Sequence, residues 1–199
     1  MNILPVSDNV GHLNANFGKK TSESAFERKF ANYGSDDIFV SQKRSVMNQI
    51  KNYLTSVGIE ANIRRDECLE ISNLSKLPKE ANPITDLMLQ FTKKINGSVD
   101  FGKIGASTLG AVEELKGGKF NNRRFDISKS KIESIGRLKK VDGSLVISPK
   151  QLRDIDFEGL EVSDDIIIAD KNDFGMYTYK PLDKFDKAAV LGGFELLHY

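Results

Sequence analysis

Thiol chemistry in this chain could involve only one cysteine, Cys68, and two histidines, His12 and His198. A thiol becomes a nucleophile when a base within hydrogen-bond reach takes its proton and a third group orients that base. His12 falls in an Asn- and Ser-rich stretch without periodicity, so His198 is the better candidate base. Asp170 or Asp173 would be the orienting carboxylate. The residues around Cys68, "RRDECLEIS", carry none of the local signatures of cysteine proteases. They alternate as a strand does, and there a cysteine commonly serves as a small core side chain. The expectation is a structural Cys68, with no catalytic residue assigned. A protein-modifying enzyme built on Cys68, His198 and Asp170 is the alternative.

Other chemistry has less support. No HExxH, Walker loop or Gly-x-Gly-x-x-Gly occurs, so the sequence implies no zinc-protease or nucleotide site. No cofactor or metal is expected. Gly102 to Gly105 match the GxxG that clamps nucleic-acid backbone in KH modules, a weak signal standing alone. The carboxylate pairs Asp164–Asp165 and Asp170/Asp173 could bind a divalent ion. Adjacent side chains on a strand point to opposite faces, which favours solvated surface instead. A single cysteine excludes an intrachain disulfide and a cysteine-based zinc site.

Charge is segregated along the chain. Arg123, Arg124, Lys129, Lys131, Arg137, Lys139 and Lys140 lie in a basic stretch, and residues 154–173 are acidic. The seven basic residues are the candidate binding set, for an anionic lipid headgroup or another phosphate. The competing reading is mutual neutralisation. Glu133 and Arg153, Arg137 and Glu158, and Lys140 and Glu161 are pairs of opposite sign at nearly constant spacing. A net charge of +1 supplies no global attraction, so nucleic acid is disfavoured.

The elements that must position these groups follow from periodicity. The chain has 199 residues, 39% hydrophobic and 29% charged, which is globular composition with enough length for a real core. Residues 1–20 read as a flexible leader and a candidate secretion signal, though they lack the features of a Sec-type signal peptide. Residues 21–118 read as a helical region. "SESAFERKFANYG" opens it, followed by a helix with Met47, Ile50, Leu54 and Val57 on one face. Alternation over 59–72 predicts a small hairpin. A second helix is predicted over 82–97, with Ile84, Leu87, Met88, Phe91 and Ile95 buried, and a third over 98–118, weakened by Gly102, Gly105 and Gly110. Close approach of another backbone would explain those glycines. From 119 to 199 short aliphatic strands take over. No apolar run nears the roughly 20 residues that cross a bilayer. The fold class is α+β: a helical N-terminal region with a hairpin, and a β-rich C-terminal half.

That half contains an internal repeat. Ile127 is answered by Ile147 and Ile132 by Leu152 at 20 residues, and Val141 by Val162 and Ile147 by Ile168 at 21. Residues 125–168 resemble short bacterial and phage leucine-rich repeats. The matching positions are Ile127, Ile132, Ile135, Leu138, Val141, Leu145, Ile147, Leu152, Ile155, Leu160, Val162 and Ile168. The usual asparagine is missing and only about two full turns are present, against the three or so an independent solenoid needs. The resemblance implies a short solenoid capped by the helical region, and an extended face that binds another protein. An evenly spaced β-meander is the other reading. The leader before a compact body is similar to bacterial type III secreted effectors. That similarity implies synthesis in the cytoplasm, Sec-independent export into a host cell and a host-derived protein partner.

Overall fold

The computed structural model describes residues 40–77, 82–117 and 123–193. The predicted opening helix in "SESAFERKFANYG" and the leader lie outside them. The fold is α+β. Helix α1 (Val40–Ser56) buries Val46, Met47, Ile50, Tyr53 and Leu54, the face its spacing predicts. It packs on the hairpin β1 (Glu60–Ile63) and β2 (Leu69–Ser72), whose antiparallel register pairs Ala61 with Ile71. Helix α2 (Asn82–Phe91) follows, then β3 (Thr92–Asn96) and β4 (Val99–Asp100).

From β3 onward the chain winds. Each turn gives one strand to a first sheet and the next strand to a second sheet. After β3 and β4 come β5 (Glu114–Lys116) and β6 (Arg124–Asp126), then β7 (Lys140–Asp142) and β8 (Ser144–Ile147). Helix α3 (Pro149–Asp154) precedes the last such pair, β9 (Glu161–Val162) and β10 (Ile166–Lys171). The first sheet runs β1-β2-β3-β5-β7-β9, and the second runs β4-β6-β8-β10 and ends on β11 (Tyr177–Pro181). Neighbours from β2 to β9 and from β4 to β10 are parallel; β11 turns back antiparallel to β10, as β1 is antiparallel to β2. Helix α4 (Lys184–Leu191) closes the far end.

The repeat phasing is therefore the register of this winding. Val141 pairs with Val162 and Ile147 with Ile168. Parallel pairing belongs to stacked turns and not to a meander of hairpins, whose neighbours are antiparallel. Stacking makes each turn's apolar edge its neighbour's core: Ile71, Ile95, Leu115, Val141 and Val162 form one buried row across the first sheet. Both sheets and the helices packed on them feed a single hydrophobic core, and the ladder β5–β7 pairs Glu114–Lys116 with Lys140–Asp142.

Two predicted helices need correction. Residues 98–118 do not form a helix where described; they make β4, a turn-rich return segment and β5. Helix α2 stops at Phe91, and Ile95 is buried from strand β3 instead. A tertiary contact sets that end. The Ala111 N–H donates to the Leu89 carbonyl (3.0 Å), and Gly110, at φ 58°, lets the chain come that close. A Cβ on Gly110 would sit 2.6 Å from the Leu89 carbonyl group, and one on Gly102 would sit 2.9 Å from the Lys129 backbone. Close approach thus accounts for these two glycines although the helix does not exist.

Gln151 joins two turns. Its backbone N–H and its Oε1 complete a capping box with Ser148 at the start of α3. Its Nε2 donates to the carbonyls of Ile127 (2.9 Å) and Ile132 (3.1 Å) on the preceding turn. Gln151→Leu keeps the volume but strands the buried Ile132 carbonyl and the Ser148 N–H, while the Ile127 carbonyl keeps its bonds from the Ser130 N–H (2.9 Å) and hydroxyl (2.6 Å). The expected cost is about 2–4 kcal/mol, since each unmet buried partner costs roughly 1–3 kcal/mol and a cap about 1 kcal/mol. Urea unfolding followed by circular dichroism measures it; a loss under about 1 kcal/mol would mean the turns do not depend on this link.

Candidate interaction surface

The outer face of the first sheet carries a row in which charge alternates strand by strand. Glu70, Lys94, Glu114, Lys140 and Glu161 occupy successive register positions. Lys94 and Glu114 close to 2.7 Å, and beside them Lys93 lies 3.9 Å from Glu113. Opposite charges placed directly across a ladder each contribute a few tenths of a kcal/mol, and a one-residue slip would lose every one of them. A concavity of about 260 Å³ on this face has Lys93, Lys94, Lys139 and Lys140 interleaved with Glu113 and Glu114. Arg64 and Asp66 complete its lining, so five basic side chains face three acidic ones, and ion pairs tie Arg64, Lys93 and Lys94 to those carboxylates.

The seven predicted basic residues do not form one patch. Lys139 and Lys140 belong to the first sheet's edge and face, while Arg124 stands on β6 of the second and Lys129 on the turn after it. Lys131 and Arg137 are exposed along the return segment between the two sheets. Two of the seven hold carboxylates: Arg123 bonds Asp142 (3.0 Å) and Arg124 bonds Asp126 (3.3 Å). The winding moves a contiguous stretch around the molecule, so clustering in sequence does not survive as clustering in space.

Cys68 sits at the hairpin end of the first sheet, buried, and its Sγ donates a hydrogen bond to Asp66 Oδ1 (2.7 Å). Asp66 also accepts from Lys93 (3.1 Å). Burial, reinforced by the Asp66 carboxylate, pushes the Cys68 thiol up to about 12. The bonds from Cys68 and Lys93 hold the Asp66 carboxyl below its ordinary range, and Asp66 in turn raises Lys93. The arrangement keeps the thiol protonated. Four parallel steps of about 4.8 Å separate β2 from β9. This puts roughly 19 Å between the level of Cys68 and that of Asp170, which lies on β10 of the last turn. Asp170 does not reach Cys68, and its carboxylate accepts from the Lys171 N–H (2.8 Å). His12 and His198 lie outside the described residues. Asp164 and Asp165 occupy the bend between β9 and β10, and no group of three or more metal-ligating side chains occurs among the described residues.

The surface that sequence reading missed is the hairpin β10–β11. Its residues include Phe174, 87% exposed, Met176, 63%, Tyr177, 40%, and Tyr179, 43%. The Arg124 guanidinium lies 4.3 Å from the Tyr179 ring centroid, and the Lys129 ammonium 4.2 Å from that of Tyr177. These cation–π contacts reach from β6 and its following turn to β11, across the intervening β8 and β10. There the outer-face residues Val146 and Ala169 are buried apart from the main core. The cations that looked like a phosphate patch thus help roof a small apolar cluster and steady two tyrosines. The legible signal was the run "DFGMYTYK", where aromatic residues crowd a turn and an edge strand instead of alternating with core-facing aliphatics.

The fold defines a class, an α+β protein built on stacked parallel turns with a capping helix at each end. No known protein family, curated protein or solved structure matches the chain. No helix among the described residues is long and apolar enough to cross a membrane.

Proposed function

We propose that this protein is a non-catalytic binding module for another protein, and that hairpin β10–β11 is its contact surface. One observation carries the reading: Phe174, Met176, Tyr177 and Tyr179 expose apolar surface together on one hairpin, flanked by Arg124 and Lys129. Contiguous apolar exposure is uncommon on a surface that binds nothing, and Tyr and Arg are among the residues that most often dominate protein interfaces. The protonated Cys68 favours this over the thiol enzyme, and the division of the basic residues between faces favours it over a phosphoinositide adaptor. With the leader read as an export signal, the partner is a host protein.

Affinity capture from bacterial and eukaryotic lysates tests the reading. Wild type and Cys68→Ser are expected to hold the same partner, unmodified in mass. Retention is expected to survive about 0.5 M salt, where screening confines charge attraction to roughly 4 Å. A Phe174→Ser/Met176→Ser double variant is expected to weaken the capture roughly fivefold to thirtyfold, because the two anchors together contribute on the order of 1–2 kcal/mol. Capture that survives this double variant, or that needs Cys68, would reject it.

A further inference from the structure

We infer that the open edge of β11 pairs with the same edge of a second copy, about a twofold axis at Thr178. The inference rests on the hairpin being the contact surface, and it names one occupant of that surface. β11 is the last strand of its sheet and all five of its residues are exposed. Among the described residues, other elements lie beside the remaining edges. Lys187 of α4 donates to the carbonyls of Val162 (2.8 Å) and Asp164 at β9, the turn Leu74–Lys76 packs against β4, and α1 packs against β1. An edge that pairs with no further strand among the described residues and bears aromatics is a template for another strand.

The register determines which groups are free. Leu182 N–H donates to the Ile166 carbonyl (2.8 Å) and Asn172 N–H to the Met176 carbonyl (2.9 Å), at the two ends of the β10–β11 ladder. Hydrogen-bonded and non-bonded pairs alternate along an antiparallel ladder. Thr178, opposite Asp170, and Lys180, opposite Ile168, therefore turn their backbone groups to β10. Tyr177 and Tyr179 turn theirs outward, and Pro181 presents outward only a carbonyl, which is where a sheet tolerates proline.

An axis at Thr178 sets Tyr177 opposite Tyr179 of the second copy, and both N–H and both C=O groups of each strand are then satisfied. An axis at Tyr177 would set Tyr179 against Gly175, whose N–H already donates to the Asn172 carbonyl (2.8 Å). An axis at Tyr179 would set Tyr177 against Pro181, which has no donor. The Thr178 axis also brings two tyrosines from each copy onto one face, with the two threonines close across the dyad. Taking about 200 Å² for a fully exposed large side chain, the four hairpin residues offer roughly 450 Å² per copy. The resulting ~900 Å² is the scale of weak, transient interfaces. The dimer is therefore concentration-dependent, with a Kd on the order of 10–100 µM.

Sedimentation equilibrium of the full chain over a range of about 1 to 500 µM, which brackets that Kd, reads this directly. Thr178→Lys faces Asp170 within its own hairpin, which suits the monomer, but opposes two ammonium groups across the axis. The wild type is expected to dimerise reversibly, Thr178→Lys to weaken the dimer at least about tenfold, and an equimolar mixture of Thr178→Lys with Thr178→Glu to restore it. Circular dichroism confirms that each variant is folded. A wild type that stays monomeric throughout, a lysine variant that dimerises like wild type, or a mixture without recovery would overturn the assignment. The lysate capture is scored separately: partner retention lost in the Phe174→Ser/Met176→Ser variant of a monomeric wild type would leave the module reading standing and remove only the self-pairing.

Discussion

Alanine at Gly143 is expected to destabilise the protein by about 2–6 kcal/mol, a large share of the roughly 5–15 kcal/mol that holds an ordinary domain together. Gly143 is the corner between β7 of the first sheet and β8 of the second. Its φ is 150°, and a Cβ there would lie 2.5 Å from the Arg123 carbonyl oxygen and 2.6 Å from the Arg123 Cβ. That oxygen also accepts the Ser144 N–H (2.7 Å), so the neighbouring turn cannot withdraw without losing its ladder. Backbone strain of about 1–3 kcal/mol and overpacking of about 1–3 kcal/mol then act together. Gly159 is the internal control: its φ is 74°, but nothing lies within 4 Å of an added Cβ, so Gly159→Ala carries the conformational penalty alone. Urea unfolding of both variants separates the two effects. A Gly143→Ala loss no larger than that of Gly159→Ala would mean the turns are not in contact at this corner. The corner recurs, with Gly97 after β3 and Gly117 after β5, and the N–H of each donates to the strand end of the next turn.

Native Cys68 is expected to react with iodoacetamide at about pH 8 at least about thirtyfold more slowly than the same residue in urea. A thiol pushed from its ordinary value near 9 to about 12 has about a thousandfold less thiolate at that pH. The greater nucleophilicity of a more basic thiolate returns roughly twentyfold to thirtyfold. Burial of the sulfur removes further access. Mass spectrometry of the alkylated peptide over time measures the ratio. A native rate equal to or above the unfolded rate would mean an activated thiol, and would restore the enzyme built on Cys68 and His198. The same shift couples stability to alkaline pH. Between the unfolded and folded values the unfolded chain has released the thiol proton and the folded chain still holds it. The contribution is therefore complete below about pH 9 and is lost as pH rises through about 12. Lys93, raised by Asp66, acts in the same direction; Asp66, lowered by Cys68 and Lys93, contributes above its ordinary carboxylate range and loses that contribution as pH falls.

What the sequence determined by itself was local or strictly periodic. Helix α1 was legible because Met47, Ile50 and Leu54 repeat the helical period, and the hairpin β1–β2 because its residues alternate. The stacking of residues 125–168 was legible because one spacing recurs in both sheets, from Val141 to Val162 and from Ile147 to Ile168, down to the pairing of Lys140 with Glu161. Single-cysteine arithmetic excluded an intrachain disulfide in the same way. Clustering of basic residues along the chain does not become clustering in space, because a winding chain sends successive segments to different faces.

Only the tertiary structure decided where the winding begins. The step from Glu114 to Lys140 is longer than the steps on either side of it, Lys94 to Glu114 and Lys140 to Glu161, so the earlier turns fall out of phase with the later ones. Ile95 also continues the helical spacing of α2, which disguises a strand as the last turn of a helix. Helix propensity is worth tenths of a kcal/mol per residue, whereas the parallel ladder and buried row that claim Ile95 and Leu115 are worth far more. Those contacts join residues on different turns, far apart in the chain, and local pattern carries no record of them. The exposed hairpin was hidden for the same reason: aromatic residues in a strand normally signal core, and the solvent around Tyr177 and Tyr179 follows from β11 being the last strand of its sheet, with no further strand paired to it among the described residues.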